Sequence, residues 1–268
     1  MHAMESINRK AWTSAPALAG YAKAAGAMDQ GEERAFALAL ATCPQPAILD
    51  LGVGGGRTAG LLAPHAGRYV GIDYLPEMVE RARRNFPDLD FRQADARDLS
   101  AFPSASFDVV VFSCNGIDSV DPEGRAAVMR EVGRALRPGG VFVFSSFHRE
   151  WNGFRDRRSL RRLIFTPDPI RLGARTLRFL EGRLVGALRV RRLAPLERRD
   201  DEHAVLLHWA HDFGLFVYAT TPDRCAAQLA AAGFEAPEVL APDGRVVGAE
   251  ADADDEYHHY LARRRLPS

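Results

Sequence analysis

The chain has 268 residues, of which 47% are hydrophobic, and balances 35 Lys and Arg against 35 Asp and Glu. That length and apolar share suit one α/β domain with an insertion, or two small domains, around a sizeable core. A formal net charge of zero argues against a chain that binds nucleic acid through its overall charge. Cys43, Cys114 and Cys225 lie far apart and show no metal-ligand spacing, so no metal site is read from them. An odd count with no framework suggests reduced thiols in a cytosol. No apolar run reaches the roughly 18 residues of a membrane span, and "MHAMESINRKAW" lacks the apolar stretch of a signal peptide. The expectation is a soluble cytoplasmic protein that uses no membrane.

Residues 1–31 are alanine-rich with scattered aromatics, Trp12 and Tyr21 among them, and read as a helical arm or lid. "GEERAFALALATCP" is a helix with acidic residues in its first turn, stopped by Pro44. Strands and helices then alternate. "AILDLG", "RYVGID", "LDFRQAD", "FDVVVFSCN" and "VFVFSSF" are strands; "RTAGLLAP", "PEMVERARRNF" and "EGRAAVMREVGRAL" are helices. Such alternation predicts parallel strands with crossover helices, a doubly wound α/β sheet. The pattern lapses over 149–220, read as an inserted cap with β character in "RLVGALRVRRL", "HAVLLHW" and "LFVYATT". Residues 149–199 hold fifteen arginines against five acids. Regularity returns in 221–268: Thr221 caps a helix, Pro222 opens it and Gly233 closes it. "FEAPEVLA" and "YHHYLARR" supply two closing strands.

The stretch "ILDLGVGGGRTAGLL" (48–62) joins a strand to a helix through glycines, a nucleotide-type binding element. Its spacing, Asp50-x-Gly52-x-Gly54-x-Gly56, is not G-x-G-x-x-G. The acid before the first glycine would repel a pyrophosphate and welcome a cation. The second strand ends at Asp73, where an ionised carboxylate can accept from both hydroxyls of a ribose. At the third strand's tip, Asp95 can accept from an adenine amino group, and Ala96 leaves room for the ring. Together these tips describe an adenosyl ligand with a positive centre, such as S-adenosylmethionine.

On "ILDLGVGGGR", "VGIDYLPEMVERAR", "DFRQADARDL", "FDVVVFSCNGID" and "ALRPGGVFVFSS" in that order, the chain resembles class I S-adenosylmethionine-dependent methyltransferases over about residues 33–147. The resemblance implies a seven-stranded, mostly parallel sheet. Its cofactor-binding core would be 32–148, completed by 221–268. It also implies S-adenosyl-L-methionine as cofactor and S-adenosyl-L-homocysteine as product.

Asp50, Gly52, Gly54 and Gly56 would then frame the methionine portion. Arg57 would face either the cofactor carboxylate or a neighbouring acid. Tyr74 and Leu75 could cover one adenine face, or simply pack. Asn115 and Gly116 follow the fourth strand, whose tip lies between cofactor and substrate in this family. His148, just after the fifth strand, is a candidate for substrate contact or proton transfer, against the plainer reading of a hydrogen-bonded histidine. Tyr21 resembles the aromatics that lid the cofactor. A metal site from His203, His208 and His211 is an outside alternative, and no metal is assigned.

The reaction expected is methyl transfer to an oxygen or nitrogen of a small molecule. A base is required only if the acceptor keeps its proton. The arginine-rich cap admits an anionic substrate, a phosphate backbone, a solvated face or a dimer contact. An RNA or protein methyltransferase, and a binding protein without turnover, are the rival readings.

Overall fold

The computed structural model describes residues 2–14, 17, 28–155, 165–248 and 251–267. Tyr21 lies outside them. Helix α1 (His2–Trp12) precedes α2 (Gln30–Leu40), whose N-cap Asp29 accepts from the Glu32 amide. The alternating segment gives β1 (Ala47–Leu51), the single turn α3 (Ala59–Leu62), β2 (Arg68–Asp73), α4 (Pro76–Asn85), β3 (Asp90–Gln93), β4 (Phe107–Phe112), α5 (Pro122–Ala135) and β5 (Leu136–His148). The segment 149–220, expected from the sequence to be a cap and given that name, contributes α6 (Pro169–Leu193), β6 (Arg198–Arg199), β7 (Ala204–His208) and β8 (Leu215–Thr220). Helix α7 (Pro222–Ala231) and strands β9 (Glu238–Leu240) and β10 (Tyr257–Arg263) follow.

The sheet runs β3-β2-β1-β4-β5, all parallel, so the tips at Leu51, Asp73, Gln93 and Phe112 share one end. Antiparallel β10 then pairs with β5, and β9 with β10. Those strands make up the seven of the doubly wound plan. Three more come from the cap. Strand β5 outruns β4, and its last residues pair with β8 at Phe147↔Ala219 and His148↔Thr220; β7 and β6 extend the ladder antiparallel.

Alternation along the strands sorts the core into two layers. On one face Leu49, Leu51, Val110, Phe142 and Phe144 pack with Val128, Met129 and Val132 of α5 and Leu229 of α7. On the other, Ile48, Val109, Val111 and Val143 pack with Ala35, Phe36 and Ala39 of α2 and Val79 and Ala82 of α4. Each large apolar side chain buried this way contributes about 1.5–3 kcal/mol.

One segment departs from the sequence expectation. "RLVGALRVRRL" is not a strand but the last half of α6. The Asp168 side chain caps that helix by accepting from the Ile170 and Arg171 amides, and Pro169 sits in the first turn. Arg, Leu and Ala favour a helix, which outweighs the two valines. The buried glycines Gly182 and Gly186 let the helix approach the cap: a Cβ on Gly186 would lie 3.4 Å from the Phe213 ring.

A buried ion pair in the core borders β8. Arg125 of α5 and Asp118, both almost fully buried, pair directly. Asp118 also accepts from the Phe147 amide at 2.7 Å and the Ser146 hydroxyl at 3.0 Å. The guanidinium lies 4.5 Å over the Tyr218 ring of β8. Burial pushes the Asp118 carboxyl up, and Arg125 and the two donors oppose the shift.

Candidate active site

A cavity opens at the shared strand tips. Its floor is the β1–α3 turn, where Gly52 and Gly54 adopt φ of +64° and +55°. A Cβ on Gly52 would come within 2.7 Å of the Phe112 ring, and one on Gly56 (φ +92°) within 2.9 Å of the Phe86 ring. Both positions need glycine for conformation and for space. Asp73 links this turn to β2: its Oδ2 accepts from the Gly54 amide at 3.0 Å and its Oδ1 from the Leu75 amide at 2.9 Å. Burial raises its pKa while those amides pull it down. With about four acceptor sites in all, the carboxyl group still has capacity for a further donor.

Tyr74, Leu75, Met78, Ala94, Asp95 and Ala96 line one side of the cavity. Arg97 grips both oxygens of Asp95 at 2.6–3.0 Å and reaches Glu5 of α1 at 2.8 Å. Burial works to raise Asp95, but the Arg97 hydrogen bonds outweigh it and hold the carboxyl below the usual carboxylate range.

The opposite wall comes from the tip of β4: Phe112, Ser113, Cys114, Gly116, Ser119 and Val120. Cys114 and Asn115 both take left-handed backbone (φ +52° and +54°). Such strain costs on the order of 1–3 kcal/mol per residue and clusters at functional sites. It leaves Cys114 exposed on the wall.

The structure thus gathers Gly52, Gly54, Asp73, Tyr74, Leu75, Asp95, Ala96 and Gly116 around one cavity. Five expected residues sit elsewhere, each for a visible reason. Asp50 is buried below the turn, where its Oδ2 accepts from the Tyr69 hydroxyl at 2.7 Å and from the Thr58 hydroxyl; burial pushes its pKa up to about 6. Gly56 packs on Phe86, behind the turn. Arg57 is taken by a neighbouring acid, donating to both oxygens of Glu32 at 2.5 and 2.8 Å and also to Ser113.

Asn115 turns away from the wall. Its backbone N–H donates to the Ser145 hydroxyl at 2.8 Å, and its side-chain Oδ1 is buried without a partner. His148 lies within β5 rather than beyond it. Its amide donates to the Glu256 carbonyl at 2.9 Å, its ring is 5.0 Å from that of His258, and burial lowers its pKa. The cap histidines also diverge: His203 stacks on Tyr218, His208 meets Glu256 at 2.7 Å, and His211 packs edge-on against Trp12.

Sequence reasoning missed Glu5, Asn8, Trp12 and Arg97. The first three line the cavity from α1. Their spacing of three and four residues is the signal that marks one helix face. Buried Asn8 ties α1 down: its Nδ2 donates to the Ser119 and Phe216 carbonyls, and its Oδ1 accepts from the Phe216 amide at 2.9 Å.

Comparison with known proteins fits this arrangement. A family profile described as a methyltransferase domain matches residues 48–140. The trans-aconitate 2-methyltransferase of Azoarcus sp. is 32% identical over 219 residues, covering 74% of this chain and 81% of that protein. The chain belongs to the class I S-adenosylmethionine-dependent methyltransferases. Shorter matches to methyltransferases lie in the core. The demethylmenaquinone methyltransferase of Beutenbergia cavernae is 37% identical over 45% of this chain and 48% of that protein. An uncharacterized methyltransferase of Synechocystis is 35% identical over 46% and 58%. The chain thus spans about half the length of several curated relatives it matches. Among solved structures, the CcbJ methyltransferase from Streptomyces caelestis superposes with a TM-score of 0.57 at 19% identity, covering 91% of this methyltransferase and 93% of that chain. At that identity the likeness speaks for the fold.

Proposed function

We propose that this methyltransferase moves a methyl group from S-adenosyl-L-methionine to an oxygen or nitrogen of a small-molecule acceptor, releasing S-adenosyl-L-homocysteine. The observation that carries the proposal is Asp73, held by the Gly54 and Leu75 amides with its remaining lone pairs at the cavity wall. A ribose diol is the chemical match for a carboxyl group fixed in this way. Asp95 and Ala96 would receive the adenine, against Leu75 and Tyr74. Gly52 and Gly54 leave backbone amides and space for the amino acid end. The cofactor supplies an electrophilic sulfonium methyl.

The protein's part is orientation, which is worth roughly 7–11 kcal/mol when two reactants are well placed. The acceptor would lie against Ser113, Cys114 and Trp12, beyond the Asp73 side of the cavity. Residues 32–148 and 221–268 would form the cofactor-binding core. The segment 149–220 would be a substrate cap, with 1–31 as a lid. Relatives named for trans-aconitate, demethylmenaquinone and arsenite support a small acceptor, and the first of these supports an anionic one.

The test is calorimetric titration with S-adenosylmethionine and S-adenosylhomocysteine, followed by an acceptor screen that reads S-adenosylhomocysteine release, anionic metabolites first. Micromolar binding and turnover with a small acceptor are expected. Folded protein that binds neither ligand would overturn the reading. Binding without turnover on any acceptor would leave a cofactor-binding protein instead.

A further inference from the structure

The cap presents a surface that the methyl-transfer chemistry does not use. In α6, Ile170, Leu177, Leu180, Leu184 and Leu188 are 83%, 69%, 56%, 63% and 59% exposed. At about 100° of turn per residue they fall on a single stripe. The packed side of α6 lies across the helix: Gly182 and Gly186 are buried, and Val190 and Leu193 pack with Met4, Ile7 and Phe213. The stripe is therefore held outward by its own attachment. Among the described residues, nothing covers it. Soluble surfaces rarely keep so continuous an apolar strip uncovered.

The charges beside the stripe say what could cover it. Helix α6 carries seven arginines and one acid, Glu181. On one side Glu181 borders the leucines with Arg192 and Arg178 beyond it, Arg183 flanks the other side, and all four are exposed. A second copy laid along this face would set one arginine row against another, with a single glutamate per helix to offset them. An anionic lipid surface meets both features at once. Leucines enter the headgroup boundary, and guanidinium groups meet phosphates while their stems stay in apolar surroundings. Among the described residues no helix is long and apolar enough to cross a membrane, so α6 would lie along the surface.

We propose that the leucine–arginine face of α6 docks this methyltransferase on an anionic lipid surface. The docked helix places the cap against the headgroups and the rest of the molecule, which carries the compensating negative charge, on the aqueous side. The proposal does not depend on the identity of the methyl acceptor.

The test is co-sedimentation of the full chain with phosphatidylcholine vesicles and with vesicles containing equal phosphatidylcholine and phosphatidylglycerol. Binding to the mixed vesicles should exceed binding to the neutral ones by about tenfold or more and should weaken when salt rises from 0.1 to 0.5 M. Leu177→Glu with Leu184→Glu should abolish it. Both positions are exposed, so calorimetry with S-adenosylhomocysteine should be unchanged and would confirm a folded protein. Arg178→Glu with Arg183→Glu should remove the anionic preference. No binding to either vesicle would overturn the proposal. So would a dimer, seen by sedimentation velocity, that the leucine variant dissociates without any vesicle binding in the parent: the face would then be a contact between copies. Equal binding to neutral and anionic vesicles would overturn the role given to the arginines.

Discussion

The strand tips and the cap use charge in opposite ways. At the tips, charged groups are turned inward and partnered: Asp73 by two amides, Asp95 by Arg97, Arg57 by Glu32, Asp50 by two hydroxyls. In α6, arginines stand outward beside exposed leucines. A cofactor pocket needs side chains fixed before the ligand arrives, and internal pairing does that. A surface that meets a partner needs charges left available. The same residue type therefore reads differently in the two places. Arg57 and Arg97 are scaffold, whereas Arg178 and Arg183 are presented.

The largest effect should come where the core borders β8. Arg125→Met removes one member of the buried pair, leaves Asp118 with only its Ser146 and Phe147 donors, and removes the cation over the Tyr218 ring. Breaking such a pair typically costs about 3–5 kcal/mol. Urea denaturation should show that loss. Adding Asp118→Asn should recover part of it, because the uncompensated charge is gone. A single variant as stable as the parent would mean that the pair does not stabilise the core beside β8.

At the tips, Asp73→Ala should weaken S-adenosylhomocysteine binding about 100-fold, since hydrogen bonds to a charged group are worth about 1.5–3 kcal/mol each. Asp50→Asn should change affinity far less, because Asp50 points into the packing beneath the turn. Calorimetry on both variants separates a wall residue from a supporting one. Equal losses would put Asp50 back at the ligand.

Much of the core was legible because its signals are local. Gly52 and Gly54 announce a turn, Asp73 ends β2 and Asp95 follows β3 by two residues, and short apolar runs alternating with helices mark the buried strands. The remainder depended on distant partners. Arg57 could have met the ligand or an acid, and only the approach of α2 put Glu32 beside it. His148 looked like a residue past a strand end, but β8 and β10 prolong β5 and draw it into the sheet. The cap hid a turn in which His211, Asp212 and Phe213 all take positive φ without a glycine to announce it. Arg189 holds that turn by donating to the His211 carbonyl at 2.5 Å. The α1 face was visible as spacing, but its docking against Ser119 and Phe216 was not.

A smaller effect should appear with pH. His258 is buried beside His148, with Asp255 at 3.2 Å and Arg245 nearby. Burial, then the neighbouring His148, pushes its pKa down to about 4, against some pull upward from Asp255. An unfolded histidine titrates near 6.5. Between these values the unfolded chain binds more protons. The stability that neutral His258 contributes is therefore complete above about pH 6.5 and is lost as pH falls towards 4, with a slope of at most about 1.4 kcal/mol per pH unit. Asp50 acts in the opposite sense. Its folded pKa is raised to about 6 by burial, so its contribution declines as pH rises from about 4 to 6. The comparison that isolates His258 is parent against His258→Gln, by urea denaturation at pH 5 and pH 7. The variant should lose less stability between them, and equal losses would show that His258 does not titrate across folding.

The smallest effect tests whether α1 belongs to the pocket or only leans on it. Glu5 reaches Arg97 at 2.8 Å, but both side chains are part-exposed, at 43% and 30%. A pair this open is worth about 0.2–1 kcal/mol. Glu5→Gln should therefore weaken S-adenosylhomocysteine binding no more than about fivefold by way of Arg97 and Asp95, and the difference from the parent should shrink as salt rises. Asn8→Ala removes buried bonds to Ser119 and Phe216, so it should cost more and respond little to salt. If both variants bind like the parent, α1 is a bystander to the cofactor and the wall it forms serves the acceptor alone. If Glu5→Gln costs more than Asn8→Ala, the charge chain through Arg97, rather than the buried amide, is what holds the helix over the site.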